Sequence, residues 1–191
     1  MKRLKATNGR PGSEKRRQVL AVTIGLPVLI RQGHSWGAQS IRLQRVSPPI
    51  TLPNHSVWGP QGEIAQIPQY ERGIHLINLW ATWCAPCVKE LPSLKRFSDR
   101  YQKLGYQVTL LSQDKGGPAI ARSFLARLGL EKMTSLSDPK GRFYNDLHCR
   151  GLPTTLVVGP DKKVYAKIEG EVDWDAKEIP DLLSSVLGRV P

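Results

Sequence analysis

The hydrophobic pattern in the middle of the chain predicts a buried strand followed by a helix. The run from Ile74 to Trp80, IHLINLW, is mainly apolar and β-favouring, which is typical of a central strand. Beyond Cys84, apolar residues recur at helical spacing and predict an amphipathic helix to about Lys103. Pro92 lies inside that helix, where it removes one backbone hydrogen bond and is expected to kink it.

Downstream, strands and helices alternate, which favours a βαβ arrangement with a right-handed crossover. Predicted strands cover Tyr106–Ser112, Thr154–Val158 and Lys163–Ile168, and predicted helices cover Pro118–Leu128, Phe143–Cys149 and about Asp175–Leu187. The fold class is therefore α/β, a central mixed sheet flanked by helices on both faces. Residues 39–73 are rich in Pro and Gly and are interpreted as a linker and an irregular or β amino-terminal extension before a domain at 74–188.

Residues 1–38 have the pattern of a secretory leader. A basic stretch ends at Lys15-Arg16-Arg17 and precedes an apolar run from Val19 to Ile30. That run is shorter than the roughly 20 apolar residues of a membrane-spanning helix, so we expect a cleaved signal or a short anchor at the inner membrane. The arginine pair also resembles a twin-arginine export signal, with an ordinary basic leader as the alternative. We therefore expect a periplasmic protein that meets the membrane only through its leader.

The net charge of +12 is concentrated in this leader, which has eight Lys or Arg and one acid. The other 153 residues have 20 basic and 15 acidic side chains, interspersed along the chain. This mildly basic domain does not predict a nucleic-acid-binding face. A hydrophobic content of 40% also excludes a disordered chain.

Two of the three cysteines form the motif Cys84-Ala85-Pro86-Cys87 at the first turn of the predicted helix. Unpaired backbone N–H groups and the helix dipole favour a thiolate at Cys84. A spacing of three residues puts both sulfurs on one face, close enough to form a disulfide. Pro86 is tolerated because N–H groups of a first turn have no partner within the helix. Export would place these cysteines where disulfides persist.

The chain resembles the thioredoxin superfamily, and within it the exported TlpA-like branch of thiol:disulfide reductases. The resemblance covers about residues 48–188. It rests on three separated motifs and a later passage, namely Asn78-Leu79-Trp80-Ala81-Thr82-Trp83-Cys84-Ala85-Pro86-Cys87, Glu90-Leu91-Pro92, Gly151-Leu152-Pro153-Thr154-Thr155 and Glu169-Gly170-Glu171-Val172-Asp173-Trp174.

The resemblance implies a role for each matching position. Cys84 matches the nucleophile, which forms a mixed disulfide with the substrate, and Cys87 matches the resolving cysteine, which closes the Cys84–Cys87 disulfide. Pro153 matches the cis-proline that faces the dithiol, where the neighbouring backbone offers a β-like edge to the substrate. The expected substrate-binding residues are Trp83, Pro86, Leu152, Pro153 and Thr154.

Two polar positions bear on proton transfer. Asn78 stands where thioredoxin has a buried aspartate, and an amide cannot titrate. Glu90 matches a glutamate that is common in the exported branch, and it lies three residues after Cys87 on the same helical face. We interpret Glu90 as a candidate proton relay, with a solvated acid in the first helical turns as the alternative.

Four further side chains are candidates for the core or the site. We expect Trp80 to pack in the core and Trp83 to cap the dithiol. Cys149 is interpreted as a small core hydrophobe, with a redox or metal-assisting role as the alternative. His148 is interpreted as a helix-end residue.

The resemblance implies a reductase of cysteine pairs in metallochaperones, copper-binding oxidase subunits or apocytochromes c. It implies re-reduction by a membrane-embedded thiol donor and no cofactor or metal beyond the dithiol. Thr154 after Pro153 departs from the Gly-x-Pro-Glu loop of members specialised for cytochrome c maturation, which favours general or copper-linked reductases. Three alternatives remain: a thiol oxidant of folding proteins, an interaction module with a vestigial motif, and a copper or zinc chaperone using Cys84, Cys87 and the His148/Cys149 pair.

Overall fold

The computed structural model describes residues 41–188, and the predicted leader at 1–38 lies outside the described residues. In chain order the elements are β1 (Leu43–Thr51), β2 (Val57–Trp58), β3 (Ile64–Ala65), β4 (Ile74–Trp80), α1 (Ala85–Tyr101), a 3-10 helix (Gln102–Leu104), β5 (Tyr106–Ser112), α2 (Pro118–Arg127), β6 (Ser135–Ser137), α3 (Arg142–Asp146), β7 (Thr154–Val158), β8 (Lys163–Glu169) and α4 (Ile179–Leu187). Within this range no helix has both the length and the apolar character needed to cross a bilayer.

The described strands form one mixed sheet in the order β1-β8-β7-β4-β5-β6-β2-β3. β4, β5 and β6 are parallel, and β4, β7, β8 and β1 pair antiparallel. This confirms the predicted mixed sheet. Because β4 and β5 are parallel, their carboxyl ends and the loops that follow them lie at the same edge.

β4 is central because its side chains serve both faces of the sheet, and all seven of its residues are buried. Leu76 and Trp80 join one apolar cluster, to which α1, α2 and α4 contribute. Ile77 and Leu79 point the other way, into a cluster that contains Phe143 of α3. The predicted helices on both faces are thereby confirmed, and α1 starts directly beyond the buried end of β4.

α1 begins at Cys84, its N-cap, and has a proline in its first turn. Cys87, Leu91, Leu94 and Phe97 form its buried side, as the helical spacing predicts. The helix continues past Pro92 to Tyr101. The kink expected at Pro92 stays a prediction.

Two predicted helices are shorter than expected. α3 ends at Asp146, and the prediction that it reaches Cys149 is wrong, because the backbone of His148 is left-handed with φ of 49°. α4 begins at Ile179, and the prediction of a start near Asp175 is wrong. An earlier start would put Pro180 inside the helix, where it could not donate to a preceding carbonyl, whereas Pro180 fits a first turn.

Residues 41–73, the described part of the predicted linker and extension, are more regular than their composition predicts. They include β1, a nine-residue edge strand that pairs with β8 and has a register shift between Arg45 and Ile50. This strand was not predicted because it contains Pro48 and Pro49, and proline normally argues against a strand. An edge strand tolerates proline, since it need not donate every backbone hydrogen bond. β6 was also not predicted, since Ser135–Ser137 is too short to show periodicity.

Candidate functional site

The cysteine pair lies where β4 passes into α1. Cys84 and Cys87 form a disulfide with their Cα atoms 5.3 Å apart. Cys87 is fully buried, and Cys84 is 5% exposed. The backbone N–H of Cys87 donates to Sγ of Cys84 at 3.3 Å. Since no acidic residue lies in the first turn of α1, the positive end of the helix dipole acts directly on this sulfur.

The loop before Cys84 is anchored by Asp114, a residue that sequence patterns did not identify. Its buried carboxyl group accepts a hydrogen bond from the Thr82 hydroxyl at 2.7 Å and from the Thr82 backbone N–H at 3.1 Å. The Ser112 hydroxyl donates to the same carboxyl group at 2.8 Å. The predicted order of strands could have indicated Asp114. Because β4 and β5 are parallel, the residues that follow β5 must lie beside those that follow β4.

Glu90, three residues after Cys87 on α1, is buried rather than solvated, so the alternative of a solvated acid is wrong. Oε1 accepts a hydrogen bond from Nδ2 of Asn78 at 2.8 Å, and Oε2 accepts one from the backbone N–H of Val172 at 2.9 Å. Burial raises the pKa of Glu90 to about 7, although these hydrogen bonds oppose the shift. The carboxyl group therefore exchanges a proton near neutral pH, on the helix that carries Cys87.

Asn78 fixes the position of this carboxyl group from the neighbouring strand. Its side chain is fully buried, and Nδ2 donates to Glu90 and, at 2.9 Å, to Oγ1 of Thr155. The Asn78 amide cannot itself titrate, but it donates a hydrogen bond to a group that can, the carboxyl group of Glu90. The structure thereby joins Asn78 and Glu90, whose contact the sequence alone does not predict.

Pro153 follows a cis peptide bond and is buried. Its carbonyl oxygen accepts a hydrogen bond from the Gly170 N–H at 2.9 Å, which ties the loop to the end of β8. Thr154 is also buried, and its hydroxyl donates to the carbonyl of Gly151 at 2.7 Å. The side chain of Thr154 is therefore engaged with its own loop.

A groove with a volume of about 560 Å³ opens beside Cys84. Trp83, Pro86 and Leu152, three of the expected substrate-binding residues, line it, whereas Pro153 and Thr154 do not. The indole of Trp83 is 70% exposed, and that of Trp80 is buried and donates to Ser135 at 3.1 Å. The core role of Trp80 is confirmed, and shielding of the dithiol by Trp83 stays a prediction.

The residues that line the groove opposite Trp83 and Leu152 were not predicted from the sequence. They belong to the loop after β5 and to the segment around α3, and they include Lys115, Lys140 and Tyr144. The topology of parallel strands could have indicated Lys115, which follows β5 closely. Nothing in the local sequence indicates Lys140 or Tyr144.

Cys149 is a free, buried cysteine in the apolar cluster on the α3 side of the sheet, which confirms its core role. Burial raises the pKa of its thiol to about 11, so it is a poor nucleophile at neutral pH. His148 is exposed just beyond the end of α3. Among residues 41–188, no three His, Cys, Asp or Glu side chains are grouped so that they could hold a metal ion.

Known proteins match both the sequence and the fold. Residues 44–167 match the AhpC/TSA family. Thiol-disulfide oxidoreductase ResA of Bacillus thuringiensis subsp. konkukian (strain 97-27) is 27% identical over 119 residues, which cover 62% of this chain and 68% of that protein. Thiol:disulfide interchange protein HelX of Rhodobacter capsulatus is 32% identical over 114 residues, or 58% of this chain and 61% of that protein.

The fold is also that of solved structures. The crystal structure of a DsbF homologue from Corynebacterium diphtheriae superposes with a TM-score of 0.62 at 20% identity, covering 80% of this chain and 96% of that one. At this identity the likeness concerns the fold, which is the predicted thioredoxin-like sheet with flanking helices. A cysteine pair at a helix N-terminus, with a buried carboxyl group in the next turn of the helix and an open groove beside the first cysteine, is suited to thiol–disulfide exchange.

Proposed function

Because the chain belongs to the AhpC/TSA family, we propose that it is an exported thiol:disulfide oxidoreductase that reduces cysteine pairs in other exported proteins. The observation that carries this proposal is the Cys84–Cys87 disulfide at the N-terminus of α1, open on one side to a groove. The relatives named as a thiol-disulfide oxidoreductase and a thiol:disulfide interchange protein support it.

The reaction begins with the reduced pair. The Cys84 thiolate, stabilised by the N–H groups and the dipole of α1, attacks one sulfur of a substrate disulfide, and the other substrate sulfur leaves as a thiolate that takes a proton. Cys87 then gives its proton to Glu90 and attacks Sγ of Cys84. The bond between Sγ of Cys84 and the substrate sulfur breaks, and that sulfur leaves as a thiolate that takes a proton. The substrate is thereby released as a dithiol carrying two electrons, and the Cys84–Cys87 disulfide closes.

The groove receives the substrate chain in this proposal. Trp83, Pro86 and Leu152 line it beside the nucleophile. Pro153 and Thr154 lie outside its lining, and the resemblance supports their backbone as a further edge for the substrate. No cofactor takes part, because the dithiol holds both electrons. A membrane-embedded thiol donor returns the protein to its reduced form.

The direction of electron flow is linked to Glu90. At a pH above about 7 its carboxyl group is ionised, and a negative charge near Cys87 disfavours a second negative charge on sulfur. A disfavoured thiolate makes the disulfide more stable relative to the dithiol, which lowers the reduction potential. This supports a reductase, whereas the dipole of α1 acts in the opposite direction at Cys84.

Export and substrate class follow from the leader and the resemblance. The basic and apolar pattern of residues 1–38 supports delivery to the periplasm, with the leader either cleaved or kept as an anchor. The substrates we propose are cysteine pairs of metallochaperones, copper-binding oxidase subunits or apocytochromes c.

The reduction potential of the Cys84–Cys87 pair tests the proposal. A Cys149→Ala variant leaves this pair as the only redox couple, and equilibration in thiol/disulfide buffers can be followed by tryptophan fluorescence. We expect a potential at or below about −250 mV, in the range of thiol reductases. A potential near about −120 mV would instead assign the protein as an oxidant of folding chains.

A further inference from the structure

The groove beside Cys84 has a basic rim that the thiol chemistry does not use. Lys115, after β5, and Lys140, before α3, both line the groove and are exposed. Neither ammonium group has a hydrogen bond or an ion pair with any residue of the described range 41–188. No acidic side chain lines the groove.

The acids next to these lysines are turned away from the groove. Asp114 is buried and accepts its hydrogen bonds from Thr82 and Ser112. Asp138 is 1% exposed, and its Oδ2 accepts a hydrogen bond from the backbone N–H of Phe143 at 2.9 Å. The charges that reach solvent at the groove are therefore positive.

The rest of the groove offers mainly apolar contacts. Trp83 and Leu152 line it on the side of the nucleophile, and Tyr144 and Pro139 line it on the side of α3. An occupant needs an apolar group near its cysteine to cover these side chains, and it needs negative charge to meet the two lysines.

We propose that the groove selects substrate segments in which acidic residues flank the reactive cysteine and an apolar residue lies beside it. This inference rests on the proposed function and specifies its substrate class. The two lysines act by attracting the acidic segment and setting its position, so that its disulfide meets Cys84. Exposed charge pairs of this kind raise the association rate, and salt weakens them.

Three matched peptides test this selection. Each contains the same disulfide and the same apolar residue, and they differ only in having Glu, Gln or Lys at two positions that flank the cysteines. The full-length protein, reduced at Cys84 and Cys87, is mixed with each peptide, and its oxidation is followed by tryptophan fluorescence. We expect the Glu peptide to react about tenfold faster than the Gln peptide at low ionic strength, from two exposed ion pairs. The Lys peptide should be slowest, and 0.5 M salt should remove most of the difference.

Charge variants assign the selection to the rim. In Lys115→Gln/Lys140→Gln the ratio of Glu-peptide to Gln-peptide rates should fall to about one, and in Lys115→Glu/Lys140→Glu the Lys peptide should become the fastest. Lys103→Gln is the matched control. Lys103 is exposed in the 3-10 helix after α1, roughly 25 Å along that helix from Cys84, so its loss should leave the peptide ratio unchanged.

A neutral small disulfide, hydroxyethyl disulfide, separates this inference from the proposed function. If the reduced wild-type protein reacts with hydroxyethyl disulfide but shows equal rates with the three peptides, the rim does not select substrates and the inference is overturned. An acidic preference that survives in the double glutamine variant overturns it as well. If the protein reduces neither hydroxyethyl disulfide nor any peptide, the proposed function itself fails.

Discussion

At the scale of the residue, Glu90 makes the most specific prediction. Its pKa of about 7 means that it is protonated below neutral pH and cannot then accept the Cys87 proton. We expect the rate at which a mixed disulfide on Cys84, formed with hydroxyethyl disulfide and followed by rapid quenching, closes to the Cys84–Cys87 disulfide to show an inflection near pH 7. In Glu90→Gln this inflection should be absent, and the rate at pH 8 should fall at least about tenfold, as expected for loss of a general base.

The control for this prediction is Glu131→Gln, which makes the same chemical change at an exposed site. Its pH profile should coincide with that of the wild-type protein. If Glu90→Gln keeps the inflection near pH 7, Glu90 is not the proton relay, and its hydrogen bonds to Asn78 and Val172 are then only structural.

At the scale of the element, β1 joins the edge of the sheet to α4 through one side chain. Nη2 of Arg45 donates to the carbonyl of Ser185 at 3.0 Å, and Nη1 donates to that of Val186 at 3.4 Å. These carbonyls belong to the last turn of α4, where a positive charge is favourable. We expect Arg45→Gln to lower the free energy of unfolding in urea by about 0.5–1 kcal/mol.

Arg42→Gln provides the matched comparison, because Arg42 is an exposed arginine in the same segment with no side-chain hydrogen bond to a described residue. Its unfolding midpoint should stay at the wild-type value. Equal losses in both variants would mean that general charge, and not the contact with α4, sets the effect.

The elements also explain how far sequence patterns reach. β4 and α1 are predictable because burial imposes an apolar run on one and helical spacing on the other. β1 could not be predicted in this way, because an edge strand accepts Pro48 and Pro49 and because its side chains are at most half-buried, so they show no apolar run. The cysteine pair is evident from its motif, whereas Asp114, Lys115 and Lys140 reach the site through strand order, which local patterns do not contain.

At the scale of the whole molecule, two buried groups oppose each other in the pH dependence of folding. Burial lowers the pKa of His75 to about 4, and it raises that of Glu90 to about 7. Neutral His75 makes the folded state less stable as pH falls below 6.5, the value in the unfolded chain. Buried Glu90 makes it less stable as pH rises above 4.5. Between these values the folded protein holds one proton on Glu90 and the unfolded chain holds one on His75, so the two effects cancel.

Single variants should reveal each effect in the oxidised protein. Between pH 4.5 and 6.5, relative to wild type, the free energy of unfolding of His75→Gln should fall by about 1 kcal/mol per pH unit as pH rises. That of Glu90→Gln should increase with pH at a similar slope. Urea unfolding at several pH values measures both slopes. Profiles of the two variants that run parallel to wild type would contradict the cancellation.

The anchoring of Thr82 by Asp114 affects what happens when the disulfide opens. Those hydrogen bonds join the loop before Cys84 to the end of β5 and do not involve sulfur. We therefore expect reduction to remove a covalent link without releasing the loop, so that the two thiols stay close together. The attack of the Cys87 sulfur on Cys84 then has a high effective molarity, because folding has already removed the entropy that would be lost in bringing the two sulfurs together. A mixed disulfide on Cys84 should accordingly be short-lived, because the second thiol is already in place.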